Sequence, residues 1–198
     1  MDKKLVIGVT GASGIVYTHK LLEYCSLLRR KYNVLDLIYT RNSEKVAKHE
    51  LGLNLTEFLK KSKCINHIYS EDDWSSPLAS SSNLVGYDGV IIPASMNTVA
   101  KLANSIQDNL LLRVFSSLLR LKNKVVIVFR ETPLSAIDLY NLYKLAMLGA
   151  IVLPASPAFY IRPRDLSDIL DFIVGKILDV LGVEHALYKR WSGLDSTV

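Results

Sequence analysis

The hydrophobic pattern of the chain alternates between short, β-branched apolar runs and longer amphipathic stretches. The first run breaks into Thr-Gly-Ala-Ser-Gly, and an amphipathic stretch begins at once. Apolar runs of about four to eight residues indicate buried strands, and apolar positions that recur every three or four residues indicate helices. The pattern predicts strands at residues 4–10, 34–40, 64–69, 87–93, 124–130 and 150–153. It predicts helices at residues 14–29, 43–51, 54–61, 98–104, 109–121, 135–148 and 165–181.

This alternation indicates a doubly wound α/β fold. A helix between two strands returns the chain to the same edge of the sheet, so the strands lie parallel. We therefore predict a three-layer, Rossmann-like parallel sheet that forms a single domain over residues 1–198. In such sheets, ligands bind outside the carboxyl ends of the strands. The polar clusters at predicted strand ends are residues 10–14, 40–43, 94–98 and 130–131.

The turn after the first strand, Thr10-Gly11-Ala12-Ser13-Gly14, has the composition of an anion site. At the start of a helix, unpaired backbone N–H groups and the positive end of the helix dipole suit a phosphate. Gly11 and Gly14 let a ligand or a neighbouring element come close, and Ser13 adds a hydroxyl. We expect a phosphate-bearing cofactor here, although a glycine turn alone does not distinguish a dinucleotide from a mononucleotide.

Composition and charge exclude several functions. With 49% hydrophobic and 22% charged residues, the chain is typical of a globular protein that is slightly rich in apolar residues. The net charge of +5 fits an anionic substrate, but no basic patch with interleaved aromatic residues indicates nucleic acid. No apolar run approaches the roughly 18 residues that span a membrane. The sequence has no obvious metal-binding cluster.

The cysteines and the first residues predict a cytoplasmic protein. Cys25 and Cys64 are the only cysteines, and we expect two buried thiols rather than a disulfide or a metal pair. Met1-Asp2-Lys3-Lys4 leads directly into the first strand, and this start predicts no signal peptide. Residues 70–87 form the one long polar stretch, and its embedded Trp74 favours a functional loop.

Two features are similar to a short-chain nicotinamide dehydrogenase. They are the start of the glycine turn and the pair Tyr140 and Lys144, which has the spacing of that family's catalytic residues. However, Val16 stands where such families place the last glycine of the turn. The second strand also ends in Thr40-Arg41, without an acidic residue for an adenine ribose. A mononucleotide fits better, with Thr40 and residues 95–98 binding the rest of the ligand.

Five motifs follow one another in a characteristic order. They are Gly11-Ala12-Ser13-Gly14, Pro93-Ala94-Ser95-Met96-Asn97-Thr98, Asp108-Asn109-Leu110, Arg130-Glu131-Thr132-Pro133-Leu134 and Pro157-Ala158-Phe159-Tyr160. Together they resemble the UbiX-type flavin prenyltransferases, within the flavin-binding cysteine decarboxylase-like proteins of flavodoxin-like fold. The resemblance implies metal-independent transfer of a dimethylallyl group from dimethylallyl phosphate to reduced FMN. It also implies that the product, prenylated FMN, serves UbiD-type decarboxylases.

The cofactor residues lie at the predicted strand ends. The expected FMN-binding residues are Gly11, Ala12, Ser13, Thr40, Ser95, Met96, Asn97, Thr98 and Arg130. Ser13 is also expected to bond the flavin near its reactive edge. Glu50 and Glu131 match acidic positions of the family, which implies that they handle protons on phosphate or flavin. Trp74 and Trp191 are candidates for aromatic walls around an allylic cation.

Breaking an allylic C–O bond leaves a phosphate, which needs cationic donors, and a delocalised cation. The substrate-binding candidates are Arg113, Arg120, Lys176 and the hydroxyl of Tyr160, beside Arg130. Arg113 and Arg120 lie seven positions apart on one predicted helix and so project from the same face. The resemblance implies that Arg130 contacts flavin and Lys176 the prenyl phosphate. Arg120 stands where many relatives carry lysine.

Two other functions stay open. An FMN-dependent decarboxylase of a cysteine-like carboxylate would share the fold, but the active-site histidine and the Pro-x-Met-Asn-x-x-Met-Trp signature of those relatives are missing. A flavin carrier would bind the cofactor without reacting. The apolar excess and the two tryptophans predict a homo-oligomer with shared active sites, and the resemblance implies a dodecamer. The tail, residues 185–198, is expected at a subunit interface.

Overall fold

The computed structural model of this chain describes residues 3–193. Met1, Asp2 and residues 194–198, which end the predicted interface tail, lie outside the described residues. The strands are β1 (Lys4–Val9), β2 (Val34–Tyr39), β3 (His67–Ser70), β4 (Tyr87–Ala94), β5 (Val125–Phe129) and β6 (Ile151–Pro154). The helices are α1 (Ile15–Glu23), α2 (Cys25–Arg29), α3 (Arg41–Leu51), α4 (Leu55–Lys61), α5 (Met96–Ala103), α6 (Leu110–Arg120), α7 (Ala136–Met147) and α8 (Leu166–Leu181).

The strands pair in parallel, in the order β3-β2-β1-β4-β5-β6. The chain passes from β1 outward to β2 and β3, and then returns to the other side of β1 for β4, β5 and β6. The winding direction therefore reverses between β1 and β4. At this reversal, the carboxyl ends of the two strands open the crevice in which doubly wound sheets bind ligands. The predicted three-layer, doubly wound sheet is confirmed.

Helices cover both faces of the sheet, and each face has its own apolar core. On one face, α1 and α8 contribute to the core, and α5, α6 and α7 contribute on the other. Phe115 of α6 packs closely against β1 and β4, because Gly8 and Gly89 carry no side chain. A Cβ atom at either glycine would lie 2.8 Å from the Phe115 ring. Within residues 3–193, no helix is long and apolar enough to cross a membrane.

Most predicted elements are confirmed to within two residues, but two regions differ. The predicted helix over residues 14–29 is divided at Tyr24, whose φ of −95° and ψ of 20° interrupt it. The Tyr24 hydroxyl donates to Asp171 of α8 at 2.8 Å, a tertiary contact that no local pattern specifies. The third strand begins at His67 rather than at residue 64.

The expectation of two buried thiols is wrong. Cys25, which starts α2, and Cys64, which precedes β3, are joined in a disulfide with their Cα atoms 6.0 Å apart. Arg29 strengthens the same junction by donating to the Cys64 carbonyl oxygen at 2.6 Å and to Asn66 Oδ1 at 2.7 Å. The two cysteines are 39 positions apart, so only the folded sheet brings them together. The cysteines therefore give no support to a reducing compartment.

We expect the double variant Cys25→Ala/Cys64→Ala to lose about 2–4 kcal/mol of unfolding free energy, because the disulfide restricts the unfolded chain over a long loop. Urea unfolding of both proteins in oxidising buffer measures the difference. Dithiothreitol should lower the wild-type midpoint to that of the variant and leave the variant unchanged. Equal midpoints of the two proteins in oxidising buffer would contradict the prediction.

Candidate functional site

Thr10 joins the ends of β1 and β4 at the carboxyl edge, the edge of the sheet at which the strands end. Its buried hydroxyl donates to the Pro93 carbonyl oxygen at 2.7 Å and accepts from the Ser95 N–H at 2.9 Å. From α1, the Thr18 hydroxyl donates to the Ile92 carbonyl oxygen at 2.6 Å. These bonds hold the turn after β4 beside the turn after β1. Two of the predicted ligand turns are therefore adjacent.

The start of α5 offers open hydrogen-bond donors. Ser95 caps the helix, because its Oγ accepts from the Thr98 N–H at 3.2 Å and lies 3.0 Å from the Thr98 hydroxyl oxygen. The N–H groups of Met96 and Asn97 have no hydrogen-bond acceptor among residues 3–193. Unpaired N–H groups at the positive end of a helix dipole favour an anion. The predicted role of residues 95–98 thus has a physical basis.

The start of α1 differs from its predicted state. The Glu50 carboxylate accepts from the N–H groups of Gly14 and Ile15, at 3.0 Å in each case. A carboxylate from α3 thus occupies the positive end of the helix, and the expectation of unpaired N–H groups is wrong for Gly14 and Ile15. The N–H groups of residues 11–13 have no acceptor within residues 3–193. Gly14 has a φ of 113°, which favours glycine. Gly11 lies against α3, where a Cβ atom would come within 2.5 Å of Asn42 Cβ.

Arg130 reaches the glycine turn from the end of β5. Its Nε donates to the Ser13 carbonyl oxygen at 3.3 Å, while the Ser13 side chain stays exposed. Tyr17 lies against the same turn, since its ring would touch a Cβ atom at Gly14. Burial raises the Tyr17 pKa, the Arg130 charge lowers it and the Glu50 charge raises it, with a net upward shift. Ser13, Tyr17, Glu50 and Arg130 therefore form one cluster, which we call the turn cluster.

Sequence reasoning missed Tyr17. The sequence did contain a signal for Tyr17. It stands three positions after Gly14, and residues three apart at the start of a helix lie on the same side, so its ring could be expected beside the glycine turn. Sequence reasoning also missed Glu71, which anchors the long polar loop at the carboxyl edge. The Glu71 carboxylate accepts from the Arg41 N–H and from Asn109 Nδ2, at 2.8 Å each. Trp74 follows Glu71 closely and is 49% exposed.

The other predicted residues near the strand ends differ in burial and in their hydrogen-bond partners. Thr40 is buried and caps α3, with its Oγ1 accepting from the Ser43 N–H at 3.3 Å. Ala12 is buried inside the glycine turn. Glu131 is exposed and its carboxylate accepts from the Thr132 N–H at 3.1 Å. The alternative in which Glu131 forms an ion pair with Arg130 is not found among the ion pairs of residues 3–193.

Tyr160, Lys176 and Trp191 belong to a second group of contacts. The ring centroids of Tyr160 and Trp191 are 5.5 Å apart in an edge-on arrangement, and a cavity of about 380 Å³ adjoins both residues. Lys176 lies on α8, with its Nζ 3.7 Å from Asp179 Oδ2. Within residues 3–193, neither hydrogen bonds nor ring contacts connect these three residues to the turn cluster. The predicted site residues thus fall into two groups that share no hydrogen bond or ring contact within the described residues.

Arg113 and Arg120 lie apart from both groups. Arg113 Nε donates to the Ala79 carbonyl oxygen at 3.0 Å, and its Nη1 donates to Gln107 at 2.9 Å. Arg120 ends α6 and lies near the C-terminal ends of α5 and α7, in a cavity of about 300 Å³. Helices α5 and α6 start at the carboxyl edge, so Arg120 is at the opposite edge. A phosphate role for either arginine stays a prediction.

The dehydrogenase pair is also far from the strand ends. Lys144 donates to Asn104 Oδ1 at 2.9 Å, and its Nζ lies 4.8 Å from the Tyr140 ring centroid. Asn104 follows the last residue of α5, at the edge opposite the crevice. This position separates the Tyr140–Lys144 pair from the turns that would bind a cofactor. Residues 3–193 also contain no group of three or more His, Cys, Asp or Glu side chains that could hold a metal ion.

Comparison with known proteins decides the family. The Flavoprotein family model matches residues 1–178. The flavin prenyltransferase UbiX of Saccharolobus solfataricus is 43% identical over 192 residues, which cover 96% of this chain and 93% of the relative. This chain belongs to the UbiX family of flavin prenyltransferases. The resemblance stated on the five motifs is confirmed.

Two solved structures of UbiX proteins have the same fold. One is AnUbiX (PadA1) in complex with FMN and dimethylallyl pyrophosphate, with a TM-score of 0.88 and 28% identity over 98% of this chain and all of that chain. The other is a dodecameric FMN-dependent UbiX-like decarboxylase from Escherichia coli O157:H7. Its TM-score is 0.86, with 30% identity over 96% of this chain and all of that chain. The six-stranded sheet is therefore the UbiX-type sheet.

We expect Thr10→Val to destabilise the protein by about 1–3 kcal/mol, because the Ser95 N–H loses its buried partner and the Pro93 carbonyl keeps only the Thr10 N–H, at 3.3 Å. Urea unfolding measures this loss. Thr56→Val is a matched control, since Thr56 is only partly buried and bonds the Glu44 side chain rather than two backbone groups. The control should lose less. An equal loss in the two variants would show that the Thr10 contacts carry no special weight.

Proposed function

We propose that this chain transfers a dimethylallyl group from dimethylallyl phosphate to reduced FMN and releases phosphate, without a metal. The observation that carries the proposal is the turn cluster, which lies at the β1–β4 crevice of a UbiX-family chain. There, a guanidinium, a carboxylate and an exposed serine side chain surround one glycine turn. The 43% identical relative is named a flavin prenyltransferase, which favours this reaction over decarboxylation, the activity in the name of the 30% identical Escherichia coli structure.

The residues at the carboxyl edge fit FMN. The N–H groups of residues 11–13, like those of Met96 and Asn97, have no acceptor among the described residues, so both turns offer donors that suit the phosphate of the mononucleotide. Gly11, Ala12, Thr40, Ser95 and Thr98 shape or support the turns on both sides of the crevice. Bound reduced FMN supplies the nucleophilic ring atoms to which the dimethylallyl group is joined.

The remaining roles follow from the charges that the reaction creates. Cleavage of the allylic C–O bond leaves negative charge on phosphate, which Lys176, Arg130 and the Tyr160 hydroxyl can bind. The ring faces of Trp74 and Trp191 can stabilise the allylic cation and exclude water.

Two carboxylates and a hydroxyl near the strand ends are the groups that we propose for proton transfer. Glu50 and Glu131 can exchange protons with phosphate or flavin, and Ser13 faces the same space. Glu50 is held by two backbone N–H groups, so its carboxylate has a fixed position beside the turn. Glu131 is exposed and, among the described residues, its carboxylate is bonded only to the N–H of Thr132, so it keeps more freedom to move.

We infer that the active site is shared between subunits of a homo-oligomer, with a dodecamer as the expected assembly. Arg120 lies at the edge opposite its own crevice, so it can reach a crevice only in a second copy. Large apolar side chains also remain exposed on α7 and after β6. They include Ile137 (72%), Tyr143 (57%), Met147 (70%) and Phe159 (71%). Contact between copies would bury such side chains.

The proposal also includes the domain organisation, the cellular location and the partners of the enzyme. The described residues 3–193 form a single flavoprotein domain, and residues 185–193 of the predicted tail lie at a subunit interface. The protein works in the cytoplasm, where its product is passed to a UbiD-type decarboxylase. Nucleic acid and membranes are not among its partners.

Mass spectrometry tests the reaction. Under anaerobic conditions with reduced FMN and dimethylallyl phosphate, the extracted flavin should gain the mass of one dimethylallyl group. Arg130→Ala should lower the rate about 10- to 100-fold, because hydrogen bonds of charged groups contribute about 1.5–3 kcal/mol. Arg164→Ala is a matched control, since that arginine is exposed and bound to Asp168.

The competing functions give different results in the same assay. Flavin that stays unmodified at saturating dimethylallyl phosphate would overturn the proposal. If carbon dioxide were then released from a cysteine-like carboxylate, the protein would be a decarboxylase. Tight flavin binding with no turnover of either substrate would indicate a carrier.

A mixing experiment tests the shared site. Arg120→Ala and Arg130→Ala subunits should each keep no more than about a tenth of the wild-type rate alone, because each lacks one cationic donor. When the two are dissociated and reassembled together, some sites combine an intact Arg120 from one copy with an intact Arg130 from another. Part of the wild-type rate should then return. No recovery in mixed oligomers, or a monomeric wild-type mass by light scattering, would contradict a shared site.

A further inference from the structure

The chain after α8 is bound to that helix through one carboxylate. We call residues 184–193 the C-terminal segment. Asp179 of α8 accepts hydrogen bonds from the Tyr188 hydroxyl, from Arg190 Nη2 at 2.6 Å and from His185 Nε2 at 3.1 Å. The His185 side chain is 1% exposed and that of Asp179 is 22% exposed, so this contact is partly buried. Three side chains of the segment therefore depend on a single group.

The surface of α8 is shaped to receive the same segment. A Cβ atom at Gly175 would lie 2.6 Å from the Tyr188 ring and 2.8 Å from the His185 ring. Tyr188 also packs on Phe172, with ring centroids 4.9 Å apart. Glycine at position 175 thus leaves the space that Tyr188 fills. The Tyr188 ring sits in this space while its hydroxyl reaches Asp179.

The segment ends beside residues that the proposed function assigns to dimethylallyl phosphate. Arg190, bound to Asp179, is followed at once by Trp191, whose ring meets the Tyr160 ring edge-on at 5.5 Å. Tyr160 in turn meets Phe172 edge-on at 6.2 Å. Lys176 lies one turn before Asp179 on α8 and forms an ion pair with it at 3.7 Å.

We propose that Asp179 is a positioning residue for the prenyl-phosphate half of the active site, fixing Trp191 against Tyr160 and orienting Lys176. This inference rests on the proposed function, because it takes these three residues as the binding surface for dimethylallyl phosphate. Asp179 does not itself touch the substrate. It acts through the three side chains that it holds and through its ion pair with Lys176.

The protonation states of the network are suited to a permanent anchor. Burial raises the pKa of Asp179, but hydrogen bonds from Arg190, Tyr188 and His185 outweigh burial and bring this pKa down to about 2. Burial and the bond to Asp179 raise the pKa of Tyr188 to about 12. The carboxylate stays charged and the phenol stays protonated at neutral pH. The segment is therefore held by a charged acceptor and a neutral donor.

Asp179→Asn tests the inference because it keeps the size of the side chain and removes its charge. The KM for dimethylallyl phosphate should rise about tenfold, while the affinity for FMN should stay unchanged. Asp171→Asn is the matched control. Asp171 also lies on α8, accepts from the Tyr24 hydroxyl at 2.8 Å and pairs with Lys20 at 3.4 Å, but it does not bind the C-terminal segment. Its KM should stay at the wild-type value.

Trp191 gives a readout that does not depend on turnover. The chain contains two tryptophans, so a Trp74→Phe background leaves Trp191 as the sole emitter. In this background, Asp179→Asn should shift the emission to longer wavelength and increase quenching by acrylamide. Asp171→Asn should change neither signal. Asp179→Glu, which restores the charge, should recover part of both the emission and the KM.

Tyr188→Phe provides a second, milder variant in case Asp179→Asn fails to fold. It removes one donor and keeps the ring beside Gly175, so it should change the KM and the emission in the same direction by a smaller factor. If both variants keep the wild-type KM and emission, the inference is wrong. A wild-type protein that leaves FMN unmodified would instead refute the proposed function, while the emission data would still show whether Asp179 fixes Trp191.

Discussion

The two hydrogen bonds of the Thr10 hydroxyl are the constraint on which the proposed FMN-binding turns depend. β1 and β4 are the strands between which the winding direction reverses, so the helices that follow them diverge and leave a crevice. A single buried hydroxyl pairs with one carbonyl and one N–H of the turn after β4. The turn of residues 95–98 is thereby held beside the glycine turn. This connection adds to the pairing of β1 with β4 and fixes the Ser95 N–H, and with it the start of α5, against the end of β1.

Two carboxylates organise the two halves of the site in comparable ways. Glu50 comes from α3 and fixes the start of α1 through two N–H groups, so a carboxylate lies where the glycine turn passes into the helix. Asp179 comes from α8 and gathers donors from a segment that returns along the helix. In both cases, one charged acceptor joins chain segments that would otherwise be connected only by apolar packing. A charge-assisted hydrogen bond has a preferred direction, and apolar contact does not.

The sequence predicted those features that local patterns encode. The strands of a covered parallel sheet are continuous apolar runs, so β1, β2, β4 and β5 were easy to find. The ligand turns follow strand ends, and their hydroxyl, amide and glycine residues are adjacent in sequence. Contacts between distant residues could not be found in this way. The disulfide, the bond from Glu50 to Gly14 and the anchoring of the C-terminal segment at Asp179 all require the folded helices, because no periodicity links their partners.

The separation between the turn cluster and the second group of predicted residues has a consequence for how such an enzyme is controlled. One chain brings Arg130 and Glu50 to its crevice, but it directs Arg120 to the opposite edge and connects Tyr160 and Trp191 to α8. Because Arg120 lies at the opposite edge of its own chain, the shared site proposed above is complete only when copies assemble. Flavin binding would then depend mainly on the fold of one chain, and allylic chemistry would depend on assembly as well. An isolated subunit would hold flavin without generating a reactive allylic cation, which protects the cation from water until the surrounding walls are in place.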